Sequence, residues 1–276
     1  MHSCSGASQN VDRVRKTRPA KGPVSDPAWE AVKAARRTLS HDEAAQETDR
    51  LQRQYYALWC VRMAASPVNL NVLLRTLTEK KVPFVLTGAH GIGAWTGRPR
   101  ATQDVDLLVK GGRNHARAVN VLKALYPRLE VRNFLGVTAF FVPGEKESVI
   151  DVTYPHRADL QETLASAVWT ENEEQGLRYR VPSLEAALAN KYGAMITPSR
   201  DLTKRQQDVV DFMWMVRHSQ DEGQQAIDLQ KLEALGEKVW SGRGGKEILR
   251  LVEQVKEGRP INLEQSAKAK EKREGK

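Results

Sequence analysis

The sequence predicts an α/β (α+β) protein in which a mixed sheet is followed by a helical C-terminal part. Short apolar runs typical of buried strands lie between residues 82 and 154. Amphipathic segments with helical spacing precede and interrupt them, and after about residue 180 only the helical spacing remains. Because strands and helices do not alternate regularly, a mixed sheet is expected rather than a doubly wound parallel one.

Composition and charge favour a globular protein with basic ends. Of the 276 residues, 40% are hydrophobic and 28% are charged, which is ordinary for a folded chain. The sequence contains neither an apolar stretch of about 18 residues nor a secretory signal, so we expect a cytoplasmic protein that does not cross a membrane. Most of the net charge of +9 lies at the two ends of the sequence, because residues 1–22 carry +4 and residues 256–276 carry +3. Residues 1–26 and 257–276 are predicted to be disordered basic tails. Such tails can attract RNA or DNA independently of sequence.

Two domains are predicted between the tails. Residues 27–180 would form the α/β domain, and residues 181–256 the helical one. The predicted elements of the first domain are helices near 41–63 and 68–80, strand 82–86, a short helix after Gly88, strand 104–109, helix 113–125, and strands 129–134, 137–142 and 148–154. Four helices are predicted after residue 180, the first of them capped by Ser183.

Two carboxylates stand one residue apart inside an apolar run. Side chains alternate along a strand, so Asp104 and Asp106 should point to the same face. A third carboxylate, Asp151, has apolar neighbours in another predicted strand. Buried like charges must protonate or find cations, and two or three carboxylates suit one or two Mg²⁺ ions, with Mn²⁺ as a substitute. The alternative is that these residues only cap loops at strand ends.

Glycine follows the first predicted strand directly. A strand, Gly88 and then a helix start would expose backbone N–H groups to a phosphate. Two arginines, Arg98 and Arg100, lie between this turn and the carboxylates and could contact either carboxylates or phosphates. Farther along, Lys191 shares an apolar helix face, so it either extends to solvent or points at a negative group.

Together these residues resemble the DNA polymerase β-like nucleotidyltransferase superfamily. The resemblance is carried by Gly88, by the run Arg100–Asp106 and by Asp151. The form R-x-T-x-D-V-D is most similar to the AbiEii-like branch found in abortive-infection and toxin–antitoxin systems. Members of that branch often continue with K-x-x-A, an arginine and D-x-x-D in helices. This chain has Lys191–Ala194 and Gln207–Asp211, with an arginine between them, so the resemblance covers roughly residues 82–216.

The resemblance implies a nucleotidyltransferase-type core and a magnesium-dependent transfer of an NMP from an NTP to an acceptor hydroxyl. Catalysis and metal binding would fall to Asp104, Asp106 and Asp151. The nucleotide and its phosphates would meet the residues Gly88, Ala89, His90, Arg98, Arg100, Thr102 and Lys191. The acceptor would be RNA, especially tRNA, or a protein, and an antitoxin is an expected partner.

Two other hypotheses stay open at this level. Ala89 stands where the family usually has glycine or serine, and Gln207 replaces a basic residue, which would suit a non-catalytic nucleotide- or partner-binding module on the same fold. A small-molecule adenylyltransferase of the kind that modifies antibiotics shares the same Asp-x-Asp core. Asp208 and Asp211 could pair with Lys191 or Arg200, or simply face solvent.

Overall fold

A five-stranded mixed sheet forms the centre of the structure, a computed structural model that describes residues 67–97, 102–172 and 176–261. Its strands are β1 (Val85–Leu86), β2 (Val105–Leu108), β3 (Glu130–Phe134), β4 (Val137–Phe141) and β5 (Ser148–Thr153). They lie in the order β1-β2-β5-β4-β3, and only β2 and β5 are parallel. The mixed α/β fold predicted from the sequence is confirmed.

Helices cover one face of this sheet and interrupt the connections between its strands. The helices of this part are α1 (Leu70–Glu79), α2 (Gly88–Gly91), α3 (Gly93–Thr96), α4 (Arg113–Leu125) and α5 (Ala158–Ala165). A hairpin of β6 (Val168–Asn172) and β7 (Leu177–Val181) follows α5. Buried residues of α1 and α4 pack with Val105, Leu107 and Ile150 in one apolar cluster. The odd-numbered positions of β2 therefore face this core, as strand alternation requires.

The chain after the hairpin is helical, as expected. Its helices are α6 (Leu184–Ile196), α7 (Leu202–His218), α8 (Leu229–Val239) and α9 (Gly244–Lys256). The Ser183 hydroxyl accepts a hydrogen bond from the backbone N–H of Ala186, so the predicted N-cap of α6 is present. A second apolar cluster joins these four helices. The domain boundary near residue 180 stays a prediction.

The local differences from the sequence-based expectations have physical reasons. Strand β1 is two residues long because the chain before Val85 makes no ladder pairing there. Val72 has the helical spacing of an apolar-face residue in α1 but is 46% exposed, because Leu73, Leu74 and Leu77 form the face that contacts the sheet. The helix α5 and the β6–β7 hairpin were not anticipated. Within the described ranges, no helix is long and apolar enough to cross a membrane.

Several predicted features lie outside the described residues. They are the helix near 41–63, the tail 1–26, most of the tail 257–276, and the two arginines Arg98 and Arg100. The arrangement of the site that follows is therefore built from the remaining predicted residues.

Candidate active site

Parallel pairing of β2 with β5 brings two of the predicted carboxylates side by side. Asp106 is the register partner of Asp151, and Val105 is the partner of Ile150. Because Val105 and Ile150 point into the sheet core, Asp106 and Asp151 point to the opposite face. Asp104, two residues before Asp106, lies on that same side at the entrance to β2.

Gly88 allows the chain to pass directly over Asp106. Its φ of +60° lies in the left-handed region that glycine adopts without strain, and a Cβ at this position would lie 1.8 Å from Asp106 Oδ2. Thr87, just before it, donates its backbone N–H to the carbonyl of Asp106 at 2.8 Å. The predicted turn glycine thus has a steric reason to be glycine, namely the carboxylate beneath it.

Burial and like charge make the Asp106 carboxyl a weak acid. Burial contributes most to raising its pKa from 3.8 to about 7, and the charges of Asp104 and Asp151 raise it further. The cations of Lys191 and Arg200 act in the opposite direction, but less strongly. A carboxyl in this position is stabilised as an anion when a cation is bound nearby.

Asp151 has an unsatisfied oxygen. Its Oδ1 is buried and has no hydrogen-bond partner in the described structure. Burial raises its pKa, and the charge of Asp104 raises it too, whereas a hydrogen bond from Ser148 and the charge of Lys204 lower it. A buried acceptor without a partner is costly, so this oxygen is poised to accept a proton or contact a cation.

A cavity of about 220 Å³ opens in front of the carboxylates. Asp104 and Asp106 line it, together with Gly88 and Ala89. The opposite wall comes from the segment after β5 and from the helices α6 and α7, and it includes Arg157, Leu160, Asn190, Lys191, Arg200 and Asp208. The cavity therefore has an acidic wall on the sheet and an opposite wall with three cationic side chains, Lys191 on α6, Arg200 in the loop between α6 and α7, and Arg157 just before α5.

Lys191 is held in a buried ion-pair network. Its Nζ lies 2.9 Å from Asp208 Oδ1 and 2.7 Å from Asp211 Oδ2, and Arg200 Nε donates to Asp208 Oδ2 at 2.7 Å. Both aspartates are almost fully buried. The aspartates thus pair with Lys191 instead of facing solvent, and Gln207, in place of a basic residue, donates to Asp211 Oδ1 at 3.3 Å.

The other predicted nucleotide-binding residues have different surroundings. The Thr102 hydroxyl donates to Asp104 Oδ1, so in this structure Thr102 orients a carboxylate. Ala89 is buried in the cavity wall, whereas His90 is half-buried at the side of α2 and does not line the cavity. The helix α2 is only four residues long, so its dipole adds little to phosphate binding.

Two cavity residues, Arg157 and Asn190, were missed from the sequence. Arg157 makes a two-pronged hydrogen bond to Asp159, with Nε at 3.1 Å from Oδ1 and Nη2 at 2.7 Å from Oδ2. The sequence offered one signal for it, namely an arginine followed two residues later by an aspartate, shortly after β5, the strand that carries Asp151. Asn190 stands one residue before Lys191, and its Oδ1 lies 3.2 Å from the buried Thr163 hydroxyl.

The carboxylates fit a hard divalent cation. Among the described residues, no group of three His, Cys, Asp or Glu side chains has a ready-made metal-binding geometry. The donor chemistry is nevertheless appropriate, because Mg²⁺ and Mn²⁺ prefer carboxylate oxygens and need only one or two of them when phosphates supply further ligands. Asp104 and Asp106 could hold the ion from the cavity, and the unpartnered Oδ1 of Asp151 could complete the set.

A family model matches most of the chain. The model described as "Nucleotidyl transferase AbiEii toxin, Type IV TA system" matches residues 72–274. The chain belongs to this AbiEii nucleotidyltransferase family. The match contains β2, β5 and the helices of the ion-pair network, so the AbiEii protein is a nucleotidyltransferase, as the motifs predicted. Its family typically uses divalent metal ions. Among curated proteins, none matches the sequence significantly.

Three solved structures illustrate the similarity of this chain to known proteins. The AbiEii protein is similar to an antigenic nucleotidyltransferase-like protein from Paracoccidioides brasiliensis, with a TM-score of 0.40, 18% identity, and coverage of 67% of this chain and 90% of that one. JHP933 from Helicobacter pylori matches with a TM-score of 0.38 and 13% identity, over 71% of this chain and 91% of that one. The CCA-adding enzyme of Thermotoga maritima, complexed with tRNA, matches with a TM-score of 0.29 and 16% identity, over 71% of this chain and 53% of that one. The family assignment rests on the sequence match and not on these distant similarities.

Proposed function

We propose that the AbiEii protein transfers an NMP from an NTP to an acceptor hydroxyl, in a reaction that depends on a divalent metal, and that it is the toxin of a toxin–antitoxin pair. The acceptor is a hydroxyl of RNA, with tRNA as the first candidate, or of a protein. The observation that carries the proposal is that Asp104 and Asp106 line a cavity, with Asp151 beside Asp106 on the neighbouring strand and outside the cavity lining.

Asp104 and Asp106 are the proposed metal-binding residues. Both carboxylates line the cavity, and Gly88 leaves the space in which the Asp106 carboxylate lies. When bound, the divalent ions would neutralise the triphosphate and stabilise charge on the attacking and departing oxygens. Thr102 keeps Asp104 oriented through its hydroxyl. A metal-binding role for both residues explains why two carboxylates stand one residue apart in a segment that is otherwise apolar.

Asp151 is the proposed proton acceptor. Its Oδ1 has no hydrogen-bond partner and its pKa is raised, so it is a better base than a solvated aspartate. The acceptor hydroxyl would lose its proton to the Asp151 carboxylate, whose other oxygen would remain available to a metal ion, while the hydroxyl oxygen bonds to the α-phosphorus. The bond between the α-phosphorus and the bridging oxygen to the β-phosphate breaks, and pyrophosphate leaves.

The helical wall of the cavity would hold the nucleotide in register with the carboxylates. Lys191 is fixed by Asp208 and Asp211, which makes it a rigid part of that wall, and Arg200 retains its terminal nitrogens beyond the Nε that Asp208 occupies. Placing the reacting groups in this way lowers the entropic part of the barrier. An RNA acceptor is supported by the basic ends of the sequence, which attract phosphate backbones.

Transfer of label from an NTP tests the reaction. The full-length protein would be incubated with each α-labelled NTP, Mg²⁺ and either total RNA or protein extract, and the products separated by size and by nuclease or protease sensitivity. Asp104→Ala should abolish labelling, whereas Asp221→Ala, which changes an exposed aspartate away from the cavity, should not. No labelled acceptor from the wild type, or equal labelling by Asp104→Ala, would contradict the proposal.

Growth measurements test the toxin role separately. Controlled expression of the wild-type protein in a bacterial host should arrest growth, and expression of Asp104→Ala at the same level should not. Coexpression of the neighbouring open reading frame should restore growth if it encodes the antitoxin. Growth arrest that is equal for the wild type and Asp104→Ala would show that toxicity does not come from the transferase site.

A further inference from the structure

The guanidinium group of Arg157 is anchored at the cavity by a buried carboxylate. Two nitrogens of Arg157 contact both oxygens of Asp159, and the Asp159 side chain is only 3% exposed. The Arg157 side chain itself is 54% exposed and lines the cavity. One edge of the guanidinium is therefore fixed by Asp159, and the group keeps further N–H donors on a side chain that lines the cavity.

The geometry points to Arg157 as a phosphate-binding residue of this cavity, an assignment that rests on the proposed nucleotidyl transfer. Arginine suits this task because its planar fork donates two parallel hydrogen bonds to phosphate oxygens. Asp159 is its positioning residue. A buried aspartate that loses its cationic partner is strongly destabilising, so the pair keeps the arginine in place before a ligand arrives.

The other cations of the wall, Lys191 and Arg200, belong to one ion-pair network with the aspartates of α7. Lys191 contacts two buried aspartates, and Arg200 shares one of them through Nε. Arg157 differs because its single carboxylate partner lies behind it, on α5, and not between the cationic helices. The position is also fixed in sequence, since Arg157 stands four residues beyond the end of β5, the strand that carries Asp151. Strand β5 thus carries the proposed proton acceptor, Asp151, and the segment that follows it carries the proposed phosphate-binding residue, Arg157.

Two phosphate sources are compatible with this chemistry, namely the triphosphate of the NTP and the backbone of an RNA acceptor. The experiment separates them by measuring both affinities on the full-length protein. Binding of ATP, GTP, CTP and UTP in the presence of Mg²⁺ is measured by calorimetry, together with binding of the matching nucleosides, which lack phosphates. Binding of total tRNA is measured at several salt concentrations.

Arg157→Gln should weaken NTP binding by about 10- to 100-fold, with nucleoside binding unchanged, because only the phosphate contacts are lost. Arg157→Lys should restore part of the affinity, since it keeps the charge but not the fork. Asp159→Asn should weaken NTP binding less than Arg157→Gln does. If instead tRNA affinity and its salt dependence fall while NTP binding holds, the phosphate belongs to the acceptor, and the assignment of Arg157 still stands.

Arg178→Gln is the matched control. Arg178 is an exposed arginine that pairs with Glu171 on the hairpin and does not line the cavity, so its loss should change neither affinity. Thermal unfolding of each variant reports whether the fold is intact. Unchanged NTP and tRNA affinity in a folded Arg157→Gln protein would overturn the inference. That result would leave the proposed function standing as long as Asp104→Ala abolishes transfer, whereas absence of transfer by the wild type would remove the proposed function itself.

Discussion

Replacing Asp106 by asparagine should stabilise the metal-free protein at high pH. The unfolded chain releases the Asp106 proton near pH 3.8, whereas the folded protein holds it to about pH 7. Between these values the folded state binds more protons than the unfolded state, so the free energy of unfolding falls as the pH rises. Above the folded pKa the whole cost of the buried charge is present. Asp106→Asn removes that cost because an amide does not ionise.

The size of the effect follows from the shift. With pKa values of 3.8 and about 7 for Asp106, the ionisation cost grows by roughly 2.5 kcal/mol between about pH 5 and about pH 8. The difference in the free energy of unfolding between Asp106→Asn and the wild type should therefore increase by that amount over the same interval. Urea unfolding in the presence of a chelator measures it at each pH.

A metal ion should reverse the order of stability. At about pH 8, a divalent ion at about 100 times its dissociation constant should stabilise the wild type by roughly 2.7 kcal/mol and the Asp106→Asn variant by much less. The exposed carboxylate Glu222 provides a control, since Glu222→Gln should follow the wild type at every pH. If the free energies of unfolding of the wild type and of Asp106→Asn changed with pH in parallel, the claim that Asp106 is a buried carboxyl with a raised pKa would be refuted.

Three further substitutions test the architecture around the carboxylates. Gly88→Ala should abolish transfer and lower stability by about 1–3 kcal/mol, because its Cβ would displace the Asp106 carboxylate at a φ that disfavours alanine; unaltered kinetics would contradict this. Lys191→Met should cost roughly 3–5 kcal/mol in urea unfolding because it removes the ammonium group that two buried aspartates share. Lys204→Met, at an exposed pair, should cost less than about 1 kcal/mol, and equal losses would count against a buried network. Gly236→Ala should reduce the melting temperature without changing NTP affinity, because its Cβ would lie 2.5 Å from the Gly244 carbonyl oxygen, and an unchanged melting temperature would disprove that close contact.

The face on which Asp104 and Asp106 lie follows from spacing alone, whereas the third carboxylate, Asp151, was predicted from its apolar neighbours and the family resemblance and not from any rule of strand pairing. Alternation along a strand is a local rule, so it placed Asp104 and Asp106 on one side from spacing alone. The pairing with Asp151 depends on which strands become neighbours. β5 lies next to β2 although β3 and β4 come between them in the chain, and no local signal specifies that order.

The contacts of the helical side of the cavity were also only partly predictable from the sequence. The apolar spacing of α6 indicated that Lys191 occupies an otherwise buried face, and a buried lysine needs a negative partner. Which negative group it meets depends on how α7 packs against α6, and this packing brings Asp208 and Asp211 to it. Arg157 was missed for a related reason. Its ion pair with Asp159 is local, but its place in the cavity wall depends on how the chain after β5 is folded back beside α6.

Short-range expectations failed where tertiary contacts decide the outcome. Val72 has the right spacing for an apolar face of α1, yet that helix buries three leucines and leaves Val72 exposed. Helix α4, by contrast, begins and ends at the predicted residues, Arg113 and Leu125, because glycines precede it and its apolar stripe is continuous.

Crystallography with Mn²⁺ and a non-hydrolysable NTP tests the central claim most directly. Anomalous scattering locates the metal independently of the rest of the density. We predict a Mn²⁺ peak at about 2.1 Å from carboxylate oxygens of Asp104 and Asp106, with the triphosphate in the same cavity and Asp151 beside it. A nucleotide bound elsewhere, or a metal ion that contacts none of these three side chains, would contradict the account.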